Sequence, residues 1–587
     1  MSENRLKRTI SSALWSAYGD ALGFPTELAS DKTVQQRLGH SRVTRTESWK
    51  RLIGGRFGAK IQLPAGAYSD DTQLRLSTCR AITGQGYFDV EAFAKIELPV
   101  WQAYALGAGR GSKAAANALC NRSNNWFSNF FVGYEKGGGN GAAMRIQPHV
   151  WAAGDLRNKD SFLPDVIRNS VCTHGHMRGI AGALVHALSL AHTLETGRVP
   201  GPEEWLSYAK DIEYIPQIIA NDNELSLFWL PTWEERSGRT LSSAVSETAN
   251  EWRQSIRNAS DFLDKASSLD GSALYAELIA SENGLSKEER GSGLKCALFA
   301  NVAAFIGKRY GSQETIEMVA NLLDSDTDTI ATMAGALIGA ASPDARFIGP
   351  IQDNIYITEE ATRMYEVSQG ESAATFNYPD TLYWQPPRAA VDVLGRNGNQ
   401  ASIEGLGHAV ASGDAYLGLQ KNTAWRWFKL DFGQSILVRY RADKGYILDS
   451  VSPIPNAPMD TPDMFLQSER SETVAERVPS RNRNSKNSEL AESQAPAPTP
   501  VQPSTDEDLQ PDTLPHESDW AGQEEPIVCT LDLDSLTNEA IKGFDPETIG
   551  RHLLLLAEQE NPISLSIAYT SIVVKARSAR LKHRKPQ

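Results

Sequence analysis

Asp324-Ser-Asp-Thr-Asp-Thr-Ile-Ala-Thr-Met-Ala-Gly-Ala-Leu-Ile-Gly-Ala340 decides the fold of this chain. From Ile330 onward every residue is small or apolar, so the segment reads as a helix buried on all sides. Three alternating carboxylates run straight into it. Their mutual repulsion beside a buried helix is costly unless a cation or a partner offsets it. An EF-hand does not account for them. With Asp324 as loop position 1, Thr329 falls at position 6 and Gly335 at position 12. That loop requires Gly and Glu there.

The same texture extends outward. Residues 1 to about 350 are rich in Ala, Leu and Gly with helical periodicity. Ala13-Leu-Trp-Ser-Ala-Tyr18 is apolar on a wide face, and Pro25 disfavours a helical Phe24, so a helix is expected to run into a loop. Ile180 to Leu194 and Leu294 to Lys308 are apolar nearly all round. Few runs before residue 350 alternate with period two, and the expectation is an all-α domain.

A second acidic cluster, Tyr68-Ser-Asp-Asp-Thr72, precedes the helical Gln73-Leu-Arg-Leu-Ser-Thr-Cys-Arg-Ala-Ile82. Ser69 is placed to cap that helix, with Asp70 and Asp71 in its first turn. Acidic residues there complement the helix dipole without any further role. Two such helix starts facing each other would present hard oxygen ligands suited to Mg²⁺ or Ca²⁺, with Mn²⁺ an alternative, and one site could take two ions.

The rest of the chain differs. Residues 351–450 contain Trp427-Phe-Lys-Leu-Asp-Phe432, Gly433-Gln434 and Ser435-Ile-Leu-Val-Arg-Tyr440, two strands around a Gly turn in a β-containing appendage. Residues 451–526 hold 12 of the 29 prolines and are expected to be a disordered linker. Residues 527–587 regain an apolar pattern as a small α or α/β module. There, Pro546 to Ala557 reads as a helix and Ser564 to Val574 as a strand or a helix. Its end is basic: Lys575, Arg577, Arg580, Lys582, Arg584 and Lys585. No aromatics interleave those charges, which favours a solvated terminus over a nucleic-acid-binding tail.

Composition sets outer bounds. The 587 residues allow roughly two to four folded units. A net charge of −14 opposes non-specific nucleic-acid binding. Five cysteines without CxxC pairing fit a reducing cytoplasm better than a zinc ribbon or a disulfide framework. There is no apolar signal core and no membrane-length apolar run.

Five blocks occur in order between residues about 9 and 345: Gly19-Asp-Ala-Leu-Gly-Phe-Pro-Thr-Glu27, Ser69-Asp-Asp-Thr72, Gly139-Asn-Gly-Ala-Ala-Met-Arg145, Thr173-His-Gly-His176 and Asp326-Thr-Asp-Thr-Ile-Ala331. Together they resemble the ADP-ribosylglycohydrolases, of the dinitrogenase reductase-activating, ADP-ribosyl-arginine and ADP-ribosyl-serine hydrolase types. The resemblance implies an all-α catalytic domain over 1–350 and two divalent ions, Mg²⁺ or Mn²⁺. It implies metal ligation by Ser69, Asp70, Asp71, Asp326, Asp328 and Thr329. It implies ADP-ribose contacts from Gly139, Asn140, Gly141, Met144 and His174. Glu27 takes the place of a mobile-loop carboxylate that gates the site, and joins Asp70, Asp71 and Asp326 as a catalytic candidate. Asp20 is implied beside the ligands; outside what the resemblance carries over, Arg145 is expected to pair structurally with an acidic residue and His176 to be structural.

The reaction so implied releases ADP-ribose from a protein side chain above all, or from a nucleic acid or small molecule. Two alternatives stay open from the sequence. One is a non-catalytic ADP-ribose-binding or structural protein on the same scaffold; the other is a two-metal nucleotide phosphoesterase. Asp324-Ser325 stand where the family commonly has Gly-Gly, so a third carboxylate is expected to alter metal preference or leaving group. No membrane partner is expected, and nucleic acid only through the basic tail.

Overall fold

The structure, a computed structural model, describes residues 2–265, 270–397, 400–419, 422–442, 532–559 and 562–583. The linker expected over 451–526 lies outside the described residues, as do Cys529, Arg584 and Lys585. Described residues from 2 to 442 and from 533 to 583 belong to one compact unit.

The first 370 residues are predominantly helical, built around two helices of small residues. The first, α1 (Ser2–Gly23), ends where Pro25 requires. A hairpin follows, β1 (Trp49–Ile53) and β2 (Ala59–Leu63), then α2 (Asp70–Ala81) and α3 (Arg110–Leu119). Next come the buried helices α4 (Met177–Thr196), α5 (Gly293–Ile306) and α6 (Thr327–Ala341). The helix α7 (Asn354–Ser368) packs back on α1.

α1 and α6 run antiparallel in direct backbone contact. A Cβ on Gly19 would lie 2.2 Å from the Ala331 carbonyl oxygen, and one on Gly335 2.2 Å from that of Trp15. Serine hydroxyls bridge the seam: Ser12 donates to the Ala336 carbonyl and Ser16 to that of Thr332, each at 2.9 Å. Small residues let the axes approach this closely, so the acidic N-terminus of α6 arrives beside the end of α1. The small-residue texture of 330–340 thus serves packing first.

The hairpin is an addition to the expected helical domain. β2 alternates buried and exposed residues, but β1 is five residues long and its alternation is hidden by Arg51. Trp49 pairs with Leu63 and Lys50 with Gln62. Phe24, Trp49, Ile61, Leu63 and Leu106 form a satellite core that also takes Trp425 and Leu437 from the appendage.

That appendage is a five-stranded antiparallel meander: β3 (Leu394–Asn397), β4 (Gln400–Ile403), β5 (Gly407–Leu417), β6 (Thr423–Leu430) and β7 (Ser435–Arg441). The two strands read around Gly433 are β6 and β7. Asp353 joins it to the helices by accepting from the Tyr68 hydroxyl at 2.8 Å and the Ser435 N–H at 2.7 Å. Buried Arg80 does the same, bonding Glu97 and the Gln434 side chain.

The C-terminal module is helical: α8 (Leu533–Gly543), α9 (Pro546–Ala557) and α10 (Pro562–His583). The stretch left between strand and helix by its sequence is therefore helix. Leu533, Phe544, Leu556 and Tyr569 form its core, with Leu382 against it. The basic end is partly engaged: Arg577 and Arg580 cover the Phe544 ring, and Lys575 pairs with Glu91. Among the described residues, no helix is long and apolar enough to cross a membrane.

Candidate functional site

Three chain segments converge where α1 ends and α2 and α6 begin. Asp20, one turn before the end of α1, is fully buried. Its carboxylate accepts from the Ser69 N–H (2.8 Å), the Thr72 N–H (2.9 Å) and the Thr72 hydroxyl (2.6 Å). Asp20 therefore anchors the free N–H groups of α2. Ser69 caps the same helix, its hydroxyl accepting from the Asp71 N–H at 3.2 Å. Arg75, one turn on, donates to the Thr72 and Thr332 hydroxyls and so ties α2 to α6.

The carboxylates face each other across this junction. Glu27, Asp326 and Asp328 present oxygens that all lie within 4.8 Å of one another. Asp71 accepts from the Thr329 hydroxyl at 3.2 Å, and its other oxygen, Oδ2, is buried with no partner. Asp328 accepts from the Thr329 N–H at 2.9 Å, and Asp326 from the Asn140 amide at 2.8 Å. Asp70 lies against Gly107, where a Cβ would meet its Oδ1 at 3.1 Å and Glu27 Oε2 at 3.6 Å. Gly107 also has φ +87°, so both space and backbone require glycine there. Asp324 does not join: it is exposed, with φ +66°, on the turn ahead of α6.

Burial, then mutual repulsion, holds these carboxyls up. The Asp70, Asp71 and Asp328 carboxyls sit well above the usual carboxylate range for those two reasons. Burial also raises Asp326 and Glu27. For Glu27 the Arg51 guanidinium opposes the rise; both its terminal nitrogens donate to Glu27 Oε2 at 3.2 Å.

The glycine-rich loop forms the adjoining wall. A Cβ on Gly141 would lie 2.8 Å from the Ser112 hydroxyl and 3.1 Å from His174 Cε1. His174 pairs through Nδ1 with the Thr173 hydroxyl at 2.7 Å. Burial and Arg145 push its pKa down to about 3, so the ring is neutral, and Nε2 lies beside Gly139. Met144 is buried, and its N–H donates to the Asn140 carbonyl at 3.1 Å. Arg145 does not pair with an acidic residue as expected. It donates to the Gly141 carbonyl, the Asn169 carbonyl and side chain, and the Thr173 hydroxyl, locking the loop to the His174 segment. His176 caps α4, accepting from the Arg178 N–H at 3.1 Å.

Sequence reasoning missed Arg51, Arg75 and the segment Gly107-Ala-Gly-Arg-Gly-Ser-Lys113. Alternate glycines ahead of a helix are the signal that could have found the last. Nothing local marks Arg51, because its partner is 24 residues away on a loop.

The chain is similar to several known proteins. The family model described as ADP-ribosylglycohydrolase matches residues 1–352. An uncharacterised protein of Escherichia coli (strain K12), YegU, is 24% identical over 354 residues, covering 57% of this chain and 88% of that protein. The ADP-ribosyl-(dinitrogen reductase) glycohydrolase of Rhodospirillum rubrum is 25% identical over 189 residues, 32% of this chain and 58% of that enzyme's length. A solved structure titled as an ADP-ribosylglycohydrolase-related protein complex aligns with 62% of this chain and 99% of its own, at 20% identity and a TM-score of 0.37.

Proposed function

The chain belongs to the ADP-ribosylglycohydrolase family, and we propose that it is a metal-dependent hydrolase that frees ADP-ribose from modified proteins. The convergence of Glu27, Asp326 and Asp328 within 4.8 Å, beside an unpartnered buried oxygen of Asp71, carries the reading. Buried carboxylates without compensating cations are destabilising, and an oxygen donor set of this kind suits Mg²⁺ or Mn²⁺. Asp70, Asp71, Asp326 and Asp328 would hold two such ions with the Ser69 and Thr329 hydroxyls. Bound there, the ions would fix ribose hydroxyls and stabilise negative charge on oxygen.

The remaining steps belong to the chain's own groups. Gly139, Gly141 and Asn140 offer the slender backbone and amide that a diphosphate and its distal ribose can approach. Neutral His174 adds a hydrogen-bonding nitrogen, and buried Met144 an apolar contact. Lys113, in the first turn of α3, supplies a further cation toward Asp70. Glu27 accepts the proton of a water attacking the anomeric carbon, and Arg51 orients its carboxylate. The glycosidic bond breaks through an oxocarbenium-like state, the water oxygen takes its place, and the proton taken up by Glu27 is passed on to the departing side chain. The described cysteines, 79, 120, 172 and 296, are unpaired, which agrees with the cytoplasm as the compartment we propose.

The test is incubation with Mn²⁺ or Mg²⁺ and arginine-, serine- and O-acetyl-linked ADP-ribose, with mass spectrometry of the products. Metal-dependent release of intact ADP-ribose, lost in Asp326→Ala, is expected. AMP or phosphate instead would make the protein a phosphoesterase. Binding without turnover would make it a reader.

A further inference from the structure

The segment that leads into and forms the hairpin holding Glu27 is strongly cationic. Residues 31–62 carry eight Lys and Arg against two Asp and Glu, a net +6 in a chain whose total is −14, which leaves −20 for the rest. Lys32, Arg42, Arg45, Lys50, Arg56 and Lys60 are exposed, and none has a carboxylate partner among the described residues. Register sorts the hairpin into two faces. Trp49 and Ile61 pack inward, and Arg51 reaches Glu27. Lys50 and Leu52 alternate with them outward, and Lys60 is paired directly with Leu52.

The apolar part of this face continues onto the appendage. Leu52 and Phe57 are more than half exposed, and beside the hairpin turn lie Leu417 and Leu419, 72% and 78% exposed. The junction is built: the Leu419 N–H reaches the Gly58 carbonyl at 3.4 Å, and the Trp425 ring sits where a Gly54 Cβ would be, 2.4 Å away. Cations interspersed with exposed leucines therefore cover the outward face of the hairpin whose inward face reaches Glu27 through Arg51.

We propose that the outward face of β1–β2, extended by Leu417 and Leu419, docks an acidic polypeptide segment with aliphatic residues that carries the ADP-ribose. The proposal rests on the hydrolase reading for what is docked, and on charge and apolar complementarity for where. A nucleic-acid strand fits less well. Strands are held by stacking on aromatic faces, whereas three of the four exposed apolar groups here are leucines. The rest of the chain, at −20, also repels a long polyanion.

The full-length protein with Mn²⁺ is given two synthetic peptides of about 12 residues, a length that spans the hairpin when extended. Both carry the same ADP-ribosylated residue, one flanked by Asp, Glu and Leu and the other by Lys and Ser. A kcat/KM at least about tenfold higher for the acidic peptide is expected, mostly through KM, falling toward parity in about 0.5 M salt. The triple variant Lys50→Glu/Arg56→Glu/Lys60→Glu should lose the preference and still cleave O-acetyl-ADP-ribose. Equal kcat/KM for the two peptides, or a preference that survives in the triple variant, overturns the proposal. So does stronger competition by a single-stranded oligonucleotide than by the unmodified acidic peptide. If no substrate is cleaved, fluorescence anisotropy of the unmodified acidic peptide separates the two readings. Binding that is lost in the triple variant keeps the docking surface while the hydrolase reading falls, and no binding overturns the surface itself.

Discussion

At the scale of single residues, the site depends on side chains that hold others in place. Asp20 satisfies three donors at the start of α2. Asp20→Asn turns an acceptor into a donor against the Thr72 N–H. It should lower stability by about 1–3 kcal/mol in urea titration and weaken Mn²⁺ binding in the same preparation. Glu27→Gln should lower kcat by about 10²- to 10⁴-fold in ADP-ribose release while the far-ultraviolet circular dichroism stays unchanged. Arg51 opposes the upward shift of Glu27. Arg51→Ala removes that cation, so the base stays protonated to higher pH, and the acid limb of the pH–rate profile should move up; a limb that stays put would separate Arg51 from Glu27. Asp324 illustrates the reverse. Its left-handed φ is a conformation that Gly, Asn and Asp tolerate. It stands where glycine would serve the turn equally well, and the expected third carboxylate of the site is absent.

At the scale of elements, the α1–α6 seam sets the distance between the two acidic helix starts. Gly335→Ala gains roughly 1 kcal/mol of helix propensity. Its Cβ would meet the Trp15 carbonyl oxygen at 2.2 Å, and such overpacking costs about 1–3 kcal/mol. The clash wins, so guanidinium titration should show net destabilisation. Gly550→Ala, on an exposed helix position with nothing within 4 Å, should be neutral or stabilising in the same assay. The hairpin is the second structural lever. Trp425→Ala removes the ring that seats Gly54, and hydrogen exchange of the 49–63 amides should quicken while that of α4 does not.

At the scale of the whole molecule, the carboxylate cluster links stability to pH and metal. The folded carboxyls of Asp70, Asp71 and Asp328 sit above their usual range. The metal-free protein therefore binds more protons folded than unfolded once pH exceeds that range. The stability this provides is complete below the ordinary carboxylate pKa of about 4 and is lost as pH rises through the raised values. A divalent ion must displace those protons, so its affinity rises with pH. At about 100 times its Kd it adds about 2.7 kcal/mol. The gap between metal-loaded and metal-free melting temperatures should widen from about pH 5.5 to 8; a constant gap would mean the ions bind elsewhere.

Much of the fold was legible because the relevant signals are local. The small, apolar run after Ile330 declared a buried helix, Ser69 declared a cap, and the strands around Gly433 declared a sheet. The grouping of the site was less so. That Glu27 meets Asp326 and Asp328, that Asp20 clamps α2, that Asn140 reaches Asp326 and that Arg51 holds Glu27 are contacts across tens to hundreds of residues. Periodicity and capping say which face of an element is buried, but not what that face is buried against. Here that was decided by how closely α1 and α6 could pack, a property of two backbones in space.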